Sequence, residues 1–176
     1  MTPDDSLPRS FLITGGARSG KSAYAQRLAE ASSLVPVYIA TGQAGDAEMA
    51  ARIALHRAAR GPNWRLVEAP LELVAALQRE AGAGRVLLVD CLTLWLSNLM
   101  HAGRDPEREG AALAAALPGL PGRLIFITNE VGAGIVPDNR LARDFRDAQG
   151  RLNQTMAQAC EAATLVVMGL ALRLKG

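Results

Sequence analysis

Phe11-Leu12-Ile13-Thr14-Gly15-Gly16-Ala17-Arg18-Ser19-Gly20-Lys21-Ser22 is the stretch from which the fold is read. Gly15, Gly20, Lys21 and Ser22 occupy every fixed position of G-x-x-x-x-G-K-[ST], the phosphate-cradling P-loop. The backbone N–H groups of Gly15, Gly16, Ala17, Arg18, Ser19 and Gly20 can turn toward one anion because the glycines permit it. Lys21 adds a mobile positive charge for the β- and γ-phosphates, and the Ser22 hydroxyl is placed to ligate Mg²⁺. The apolar run 11–14 predicts a strand entering the loop, and residues 23–30 are helix-prone, so the anion would sit at a helix N-terminus. A glycine-rich turn matching by chance has no need of strand, loop and helix in that order.

Outward from the loop, strand and helix patterns alternate. Residues 1–10, with two prolines and no periodicity, read as a loose lead-in. The helix after the loop turns Tyr24 and Leu28 inward, and Val35-Pro36-Val37-Tyr38-Ile39-Ala40 predicts a second strand that ends at Thr41-Gly42-Gln43. Gly45-Asp46 can open a helix running to about residue 59, with Met49, Ile53 and His56 on one stripe. Arg52, His56 and Arg60 share a face of that helix, which suits a polyphosphate. Residues 64–68 alternate like a strand, and 71–81 read as a helix with Leu73, Val74 and Leu77 on one face.

Arg85-Val86-Leu87-Leu88-Val89-Asp90 is an uninterrupted apolar run that finishes in a carboxylate, as a buried parallel strand does. With a P-loop upstream, Asp90 is placed to hold Mg²⁺ or its water; the plainer reading is a cap for the next helix. Leu92, Trp95, Leu96, Leu99 and Met100 form a helical stripe for the sheet or for another subunit, and His101 falls off it as a solvated residue. Residues 103–109 read as an exposed connection and 110–117 as a helix. Residues 123–128 predict a further buried strand running into Asn129 and Glu130. Ligands of open α/β sheets bind outside such strand ends, so Thr128, Asn129 and Glu130 are candidates for positioning substrate, a Glu being the less expected of them as turn chemistry. Pro137-Asp138 opens a long helix with Leu141, Phe145, Ala148, Leu152 and Met156 inward and a weak point at Gly150. A last strand covers 164–168, and 171–175 turns back beside it through Gly169. The fold class is α/β, a mostly parallel sheet with helices on both faces, in one domain over residues 1–176.

Composition narrows the function. The chain has 176 residues, 49% of them hydrophobic, and a formal net charge of only +2 with scattered Lys and Arg, so it lacks the basic stripe of a nucleic-acid binder. Cys91 and Cys160 stand far apart without a C-x-x-C pair, which argues against a disulfide scaffold or zinc site and for small buried apolar residues. The acidic, proline-containing start does not read as a signal peptide and no apolar run could span a bilayer, so a soluble cytoplasmic protein is expected.

Phosphate binding does not name an acceptor. His56, flanked by Arg57 and Arg60, could attack an α-phosphate and carry a nucleotidyl group, its unperturbed pKa of about 6.5 leaving it a neutral nucleophile near neutral pH. A partly buried histidine bonded to backbone fits the same spacing. A monofunctional small-molecule kinase, or a module that hydrolyses nucleotide to switch a partner, is compatible with the motifs as well.

The ordered set Gly15–Ser22, Tyr38-Ile39-Ala40-Thr41, residues 46–53 with His56-Arg57, Asp90-Cys91-Leu92-Thr93 and Thr128-Asn129-Glu130-Val131-Gly132 through Val136-Pro137, Asn139-Arg140 and Phe145-Arg146 resembles the bifunctional adenosylcobinamide kinase / adenosylcobinamide-phosphate guanylyltransferase family. The resemblance covers nearly everything after residue 10. It implies a RecA-like P-loop fold, a cytoplasmic homotrimer, and a two-step activity. Adenosylcobinamide is phosphorylated with ATP or GTP, and GMP from GTP is then transferred to the phosphate to give adenosylcobinamide-GDP in cobalamin biosynthesis. By the same resemblance His56 is the guanylylated histidine and Lys21 a catalytic residue. Gly15 to Ser22, Thr41, Gly42, Gln43, Arg57, Ala58, Ala59, Arg60, Glu68 and Asp90 are the nucleotide-contacting positions, and the apolar helix after Asp90 becomes a candidate partner surface.

Overall fold

The alternation of apolar runs and amphipathic stretches is realised in a computed structural model that describes residues 8–42 and 63–176. In chain order the elements are β1 (Ser10–Thr14), α1 (Lys21–Glu30), β2 (Val35–Ala40), β3 (Arg65–Glu68), α2 (Leu73–Glu80), β4 (Arg85–Asp90), α3 (Leu92–His101), α4 (Pro106–Ala116), a 3₁₀ turn (Leu117–Gly119), β5 (Arg123–Ile127), α5 (Arg140–Ala159), β6 (Ala162–Val167) and β7 (Leu170–Lys175). The strands form a 7-stranded sheet in the order β3-β2-β4-β5-β1-β6-β7. Every neighbouring pair is parallel except β6 with β7.

Side chains on successive strand positions divide between the faces. Val86 and Leu88 join Ile13, Ile125, Ile127 and Val166 beneath α1, which meets the sheet through Ala25 and Ala29 with Tyr24 and Leu28 only partly buried beside them. Leu87 and Val89 join Leu12, Leu124 and Phe126 on the opposite face, covered by α2, α3, α4 and α5 through Leu77, Trp95, Leu113, Leu152 and Met156. Burial on both faces is why these strands are continuous apolar runs rather than alternating ones. Trp95 anchors the larger core: the residue is 1% exposed and its Nε1 donates to Leu71 O at 2.9 Å.

The structure corrects the sequence reading in several places. The stripe Leu92, Trp95, Leu96 and Leu99 is spent entirely on this core, so α3 does not offer it to a partner. Part of the connection expected over 103–109 is helical: α4 begins at Pro106 because the Asp105 side chain accepts from the N–H groups of Glu107 and Arg108, and proline suits a first turn that needs no donor. The long helix starts after Asn139, whose side chain caps Ala142 N at 2.8 Å, and Leu141 in its first turn is 66% exposed rather than inward. Gly150 leaves α5 unbroken, since packing of its apolar stripe outweighs the roughly 1 kcal/mol intrinsic penalty of one glycine. The predicted return strand is present as β7, joined to β6 by Met168 and Gly169, both at positive φ (53° and 78°) as a tight hairpin turn demands.

Candidate active site at the carboxyl edge of the sheet

Because β1 to β6 run parallel, the ends of β1, β2, β3, β4 and β5 bring Thr14, Thr41, Glu68, Asp90 and Thr128 to one edge. β5 lies between β1 and β4, so the strand entering the P-loop and the strand ending in Asp90 are two interstrand spacings apart, about 10 Å. That gap has room for a phosphate chain between the loop and the carboxylate. Glu68, on the edge strand β3, is four spacings from β1, about 19 Å. The fold therefore does not bring Glu68 to the phosphate loop.

Within the loop, Gly16, Ala17 and Arg18 are exposed while Lys21 is buried, its Nζ donating to Gly16 O at 3.0 Å. Gly20 is the N-cap of α1 at φ 94°, a conformation open to glycine and strained for other residues. Gly15 is held as tightly: a Cβ there would lie 2.4 Å from Val166 O and 2.6 Å from Ser19 Oγ. The β6–β7 turn braces the loop from outside, Gly169 N donating to Ser19 O at 2.8 Å.

Asp90 accepts a hydrogen bond from Tyr38 Oη at 2.8 Å through Oδ2, and the Tyr38 ring meets Trp64 edge-on at 6.3 Å. Tyr38 is visible in the sequence only as a strand residue; its tie to the carboxylate across neighbouring strands emerges from the register. Thr41 is fully buried, and its groups are engaged internally. Its hydroxyl donates to Cys91 O at 2.7 Å and accepts from Cys91 N at 2.8 Å, its N–H reaches Asp90 O, and its carbonyl accepts from Asn98. Thr41 thus fixes the end of β2 against the end of β4, across a cis peptide between Asp90 and Cys91. Burial, and then the Asp90 charge, push the Cys91 thiol up to about 11, so it is protonated at neutral pH and a poor nucleophile.

The third group at this edge is a polar network that sequence reasoning only half anticipated. Thr128 Oγ1 donates to Asn153 Oδ1 at 2.7 Å, and Gln149 Nε2 donates to both Thr128 Oγ1 (2.9 Å) and Asn153 Oδ1 (2.8 Å). Asn153 Nδ2 in turn donates to Asn129 O and to Glu130 Oε1, each at 3.0 Å. Thr93 Oγ1 accepts from Asn129 N at 3.0 Å. Gln149 and Asn153 were legible as a polar pair one turn apart beside an apolar helical stripe, a pattern the sequence reading passed over. Gln43, His56, Arg57, Ala58, Ala59 and Arg60, with the helix expected over 45–59, lie outside the described residues, as do residues 1–7. His101 is exposed, its Nδ1 2.7 Å from Ser97 O, away from this edge.

A P-loop, a carboxylate across one intervening strand and a polar shelf beside it can hold a nucleoside triphosphate for attack. Which attack is decided by family. The model of the cobinamide kinase / cobinamide phosphate guanyltransferase family matches residues 11–174. The chain belongs to that family. It is 55% identical over 168 residues to the bifunctional adenosylcobalamin biosynthesis protein CobP of Pseudomonas aeruginosa, covering 94% of this chain and 96% of the relative. It is also 42% identical over 180 residues to the bifunctional adenosylcobalamin biosynthesis protein CobU of Escherichia coli, covering 94% and 99%. Among solved structures, an ATPase of a type III secretion system aligns with TM-score 0.56 at 12% identity over 94% of this chain and 56% of that one. A Pyrococcus horikoshii protein aligns with TM-score 0.55 at 9% identity over 96% and 86%. These two likenesses concern the fold, and the ATPase among them agrees with the P-loop architecture. As a member of the family the chain is an enzyme that uses nucleotide substrates, a cobinamide kinase and cobinamide phosphate guanylyltransferase of adenosylcobalamin biosynthesis.

Proposed function

We propose that one triphosphate clamp serves both reactions of this enzyme, with Gly15 to Ser22 gripping the phosphate chain and His56 taking GMP covalently between the two substrates. The observation that carries the clamp is the placement of the P-loop and Asp90 on either side of β5 at one sheet edge. Lys21, buried at the loop's centre, neutralises the β/γ oxygens in either reaction.

In the kinase step the hydroxyl of adenosylcobinamide attacks the γ-phosphorus of ATP or GTP. In the second reaction His56 attacks the α-phosphorus of GTP, pyrophosphate leaves, and the phosphate of adenosylcobinamide phosphate displaces the imidazole to give adenosylcobinamide-GDP. Splitting the transfer gives two displacements that are each easier than one direct transfer. Arg57 and Arg60 offset the charge of the phosphates, and Gly42, Gln43, Ala58, Ala59 and Glu68 contact the nucleotide. With Glu68 far from the loop, its contact would be to the nucleoside end rather than the γ-phosphate.

Ser22 and Asp90 fit Mg²⁺: both offer oxygen, and the tyrosine tie uses Oδ2 of the carboxylate. The ion, when bound, supplies charge neutralisation on the transferring phosphate. We further propose a cytoplasmic homotrimer. Its support is β7, an edge strand whose Leu170, Leu172 and Leu174 are all exposed, a face that calls for cover.

The test of the shared clamp is Lys21→Ala assayed separately for phosphorylation of adenosylcobinamide and for protein labelling by α-labelled GTP. Loss of both supports it, and unchanged labelling contradicts it.

A further inference from the structure

We infer that Glu130 accepts the proton of the cobinamide hydroxyl in the kinase step, held for that purpose by Asn153 and Thr14. The inference rests on the kinase half of the family activity. The position is set from the backbone outward: Glu130 N donates to Gly15 O at 3.2 Å, which fixes the residue against the first turn of the phosphate loop. Its Oε1 is then tied twice, by Asn153 Nδ2 at 3.0 Å and, more weakly, by Thr14 Oγ1 at 3.4 Å. The side chain remains exposed at the mouth of the edge where an acceptor must approach, so Oε2 can face the substrate.

The tether is itself built into the core. Asn153 is oriented by Thr128 and Gln149, both with no exposed surface, and Gln149 Oε1 is buried without a hydrogen-bond partner. A core tolerates an unmet acceptor where the remaining bonds of the network fix something that matters. Here the chain of bonds runs from Gln149 and Thr128 through Asn153 to one oxygen of Glu130. Asp90, the other carboxylate at this edge near the loop, ends β4, across β5 from the strand that enters the loop, and is tied to Tyr38.

The proposed step balances within the two substrates. The hydroxyl O–H bond breaks with its proton passing to Glu130 Oε2, the oxygen's pair forms the new O–P bond, and the bond from γ-phosphorus to the bridging oxygen breaks with its pair leaving on the nucleoside diphosphate. Glu130 afterwards returns the proton to water. Attack of a neutral imidazole on the α-phosphorus needs no such base, so the two activities of one enzyme separate the roles.

The experiment measures three rates on purified full-length wild type, Glu130→Gln, Glu130→Ala and Asn153→Ala: phosphorylation of adenosylcobinamide, labelling of the protein by α-labelled GTP, and GMP transfer to adenosylcobinamide phosphate supplied ready-made. Glu130→Gln is expected to lower kcat of phosphorylation by about 100-fold or more, the ordinary contribution of a positioned base, with little change in KM for the corrinoid. Labelling and GMP transfer should persist in it. Formate should restore part of the phosphorylation rate in Glu130→Ala, and Asn153→Ala should lower phosphorylation with labelling intact. Equal loss of all three rates in Glu130→Gln marks a merely structural tie of the loop and overturns the inference, as does undiminished phosphorylation. A wild type that makes no adenosylcobinamide phosphate would instead contradict the kinase reading on which the inference stands.

Discussion

Replacing Gly20 by Ala tests the phosphate loop where its geometry is most constrained. Gly20 sits at φ 94° and ψ 2°, so a side chain there carries a left-handed backbone penalty of about 1–2 kcal/mol. The added Cβ would lie 3.1 Å from Gly169 Cα and 3.6 Å from Gly169 N, both backbone atoms of a tight turn, which can give way only by moving the turn itself. Overpacking of that kind adds about 1 kcal/mol or more, for a total near 3 kcal/mol. In a chain of this size each kcal/mol moves the melting temperature by about 2–4 °C, so Gly20→Ala should melt roughly 6–12 °C below wild type. Relief of the contact would shift the Gly169 turn and break its bond to Ser19 O, distorting the cradle. The stabilisation that saturating Mg·GTP confers on wild type should therefore shrink or vanish. Gly169→Ala is the control: φ is 78°, but nothing lies within 4 Å of its Cβ, so it carries only the backbone penalty and should keep its response to GTP. Thermal melts of the three proteins with and without Mg·GTP decide the matter. A Gly20→Ala protein that melts with wild type and responds fully to GTP refutes the argument.

Glu80, 2% exposed at its side chain and ringed by Arg65, Arg79 and Arg85 at 3.1, 3.2 and 3.5 Å, ties α2 to β3 and β4. Its partners can turn to water, so Glu80→Ala should cost about 2 kcal/mol, near the value of hydrogen bonds to one charge, read from urea midpoints. Tyr38→Phe removes the bond to Asp90, and the concentration of Mg²⁺ for half-maximal activity should rise about tenfold, the equivalent of a 1.4 kcal/mol charge-assisted hydrogen bond. Burial holds the thiols of Cys91 and Cys160 at about 11 and about 12 against an ordinary 9.0. Above pH 9 the unfolded chain releases these protons while the folded one keeps them, so stability should fall as pH rises toward 11. The Cys91 shift alone corresponds to about 3 kcal/mol across that window. Urea midpoints at rising alkaline pH for wild type and Cys160→Ala measure the part due to Cys160, and a variant with the wild-type slope contradicts it.

How far the sequence could be read follows from where the information sits. The P-loop, Asp90 at the end of an apolar run and the return of β7 through Gly169 are local signals, and each is found where its residues predict. Asp105-Pro106 is ambiguous in sequence because proline marks both loops and first helical turns, and only the cap bonds tell them apart. Leu141 follows the helical period yet is exposed in the first turn of α5, which periodicity cannot reveal. The stripe on α3 was legible as apolar, but whether sheet or subunit covers it depends on strand order. The tie of Tyr38 to Asp90 and the chain from Gln149 to Glu130 join residues separated by 52 and about 20 positions, and arise from register and helix placement. The network on α5 left one trace in the sequence, two amides one turn apart on a helix otherwise apolar on that side.

The central claim, one clamp and two nucleophiles, turns on His56. Intact-mass measurement of the protein after incubation with Mg·GTP, alongside mass analysis of the corrinoid formed from adenosylcobinamide, tests it most directly. Wild type should gain the mass of one GMP, acid-labile as a phosphoramidate is, and yield adenosylcobinamide-GDP. His56→Asn should gain no GMP yet still form adenosylcobinamide phosphate. GMP bound covalently to the His56→Asn protein, or adenosylcobinamide-GDP formed by it at the wild-type rate, would contradict the account.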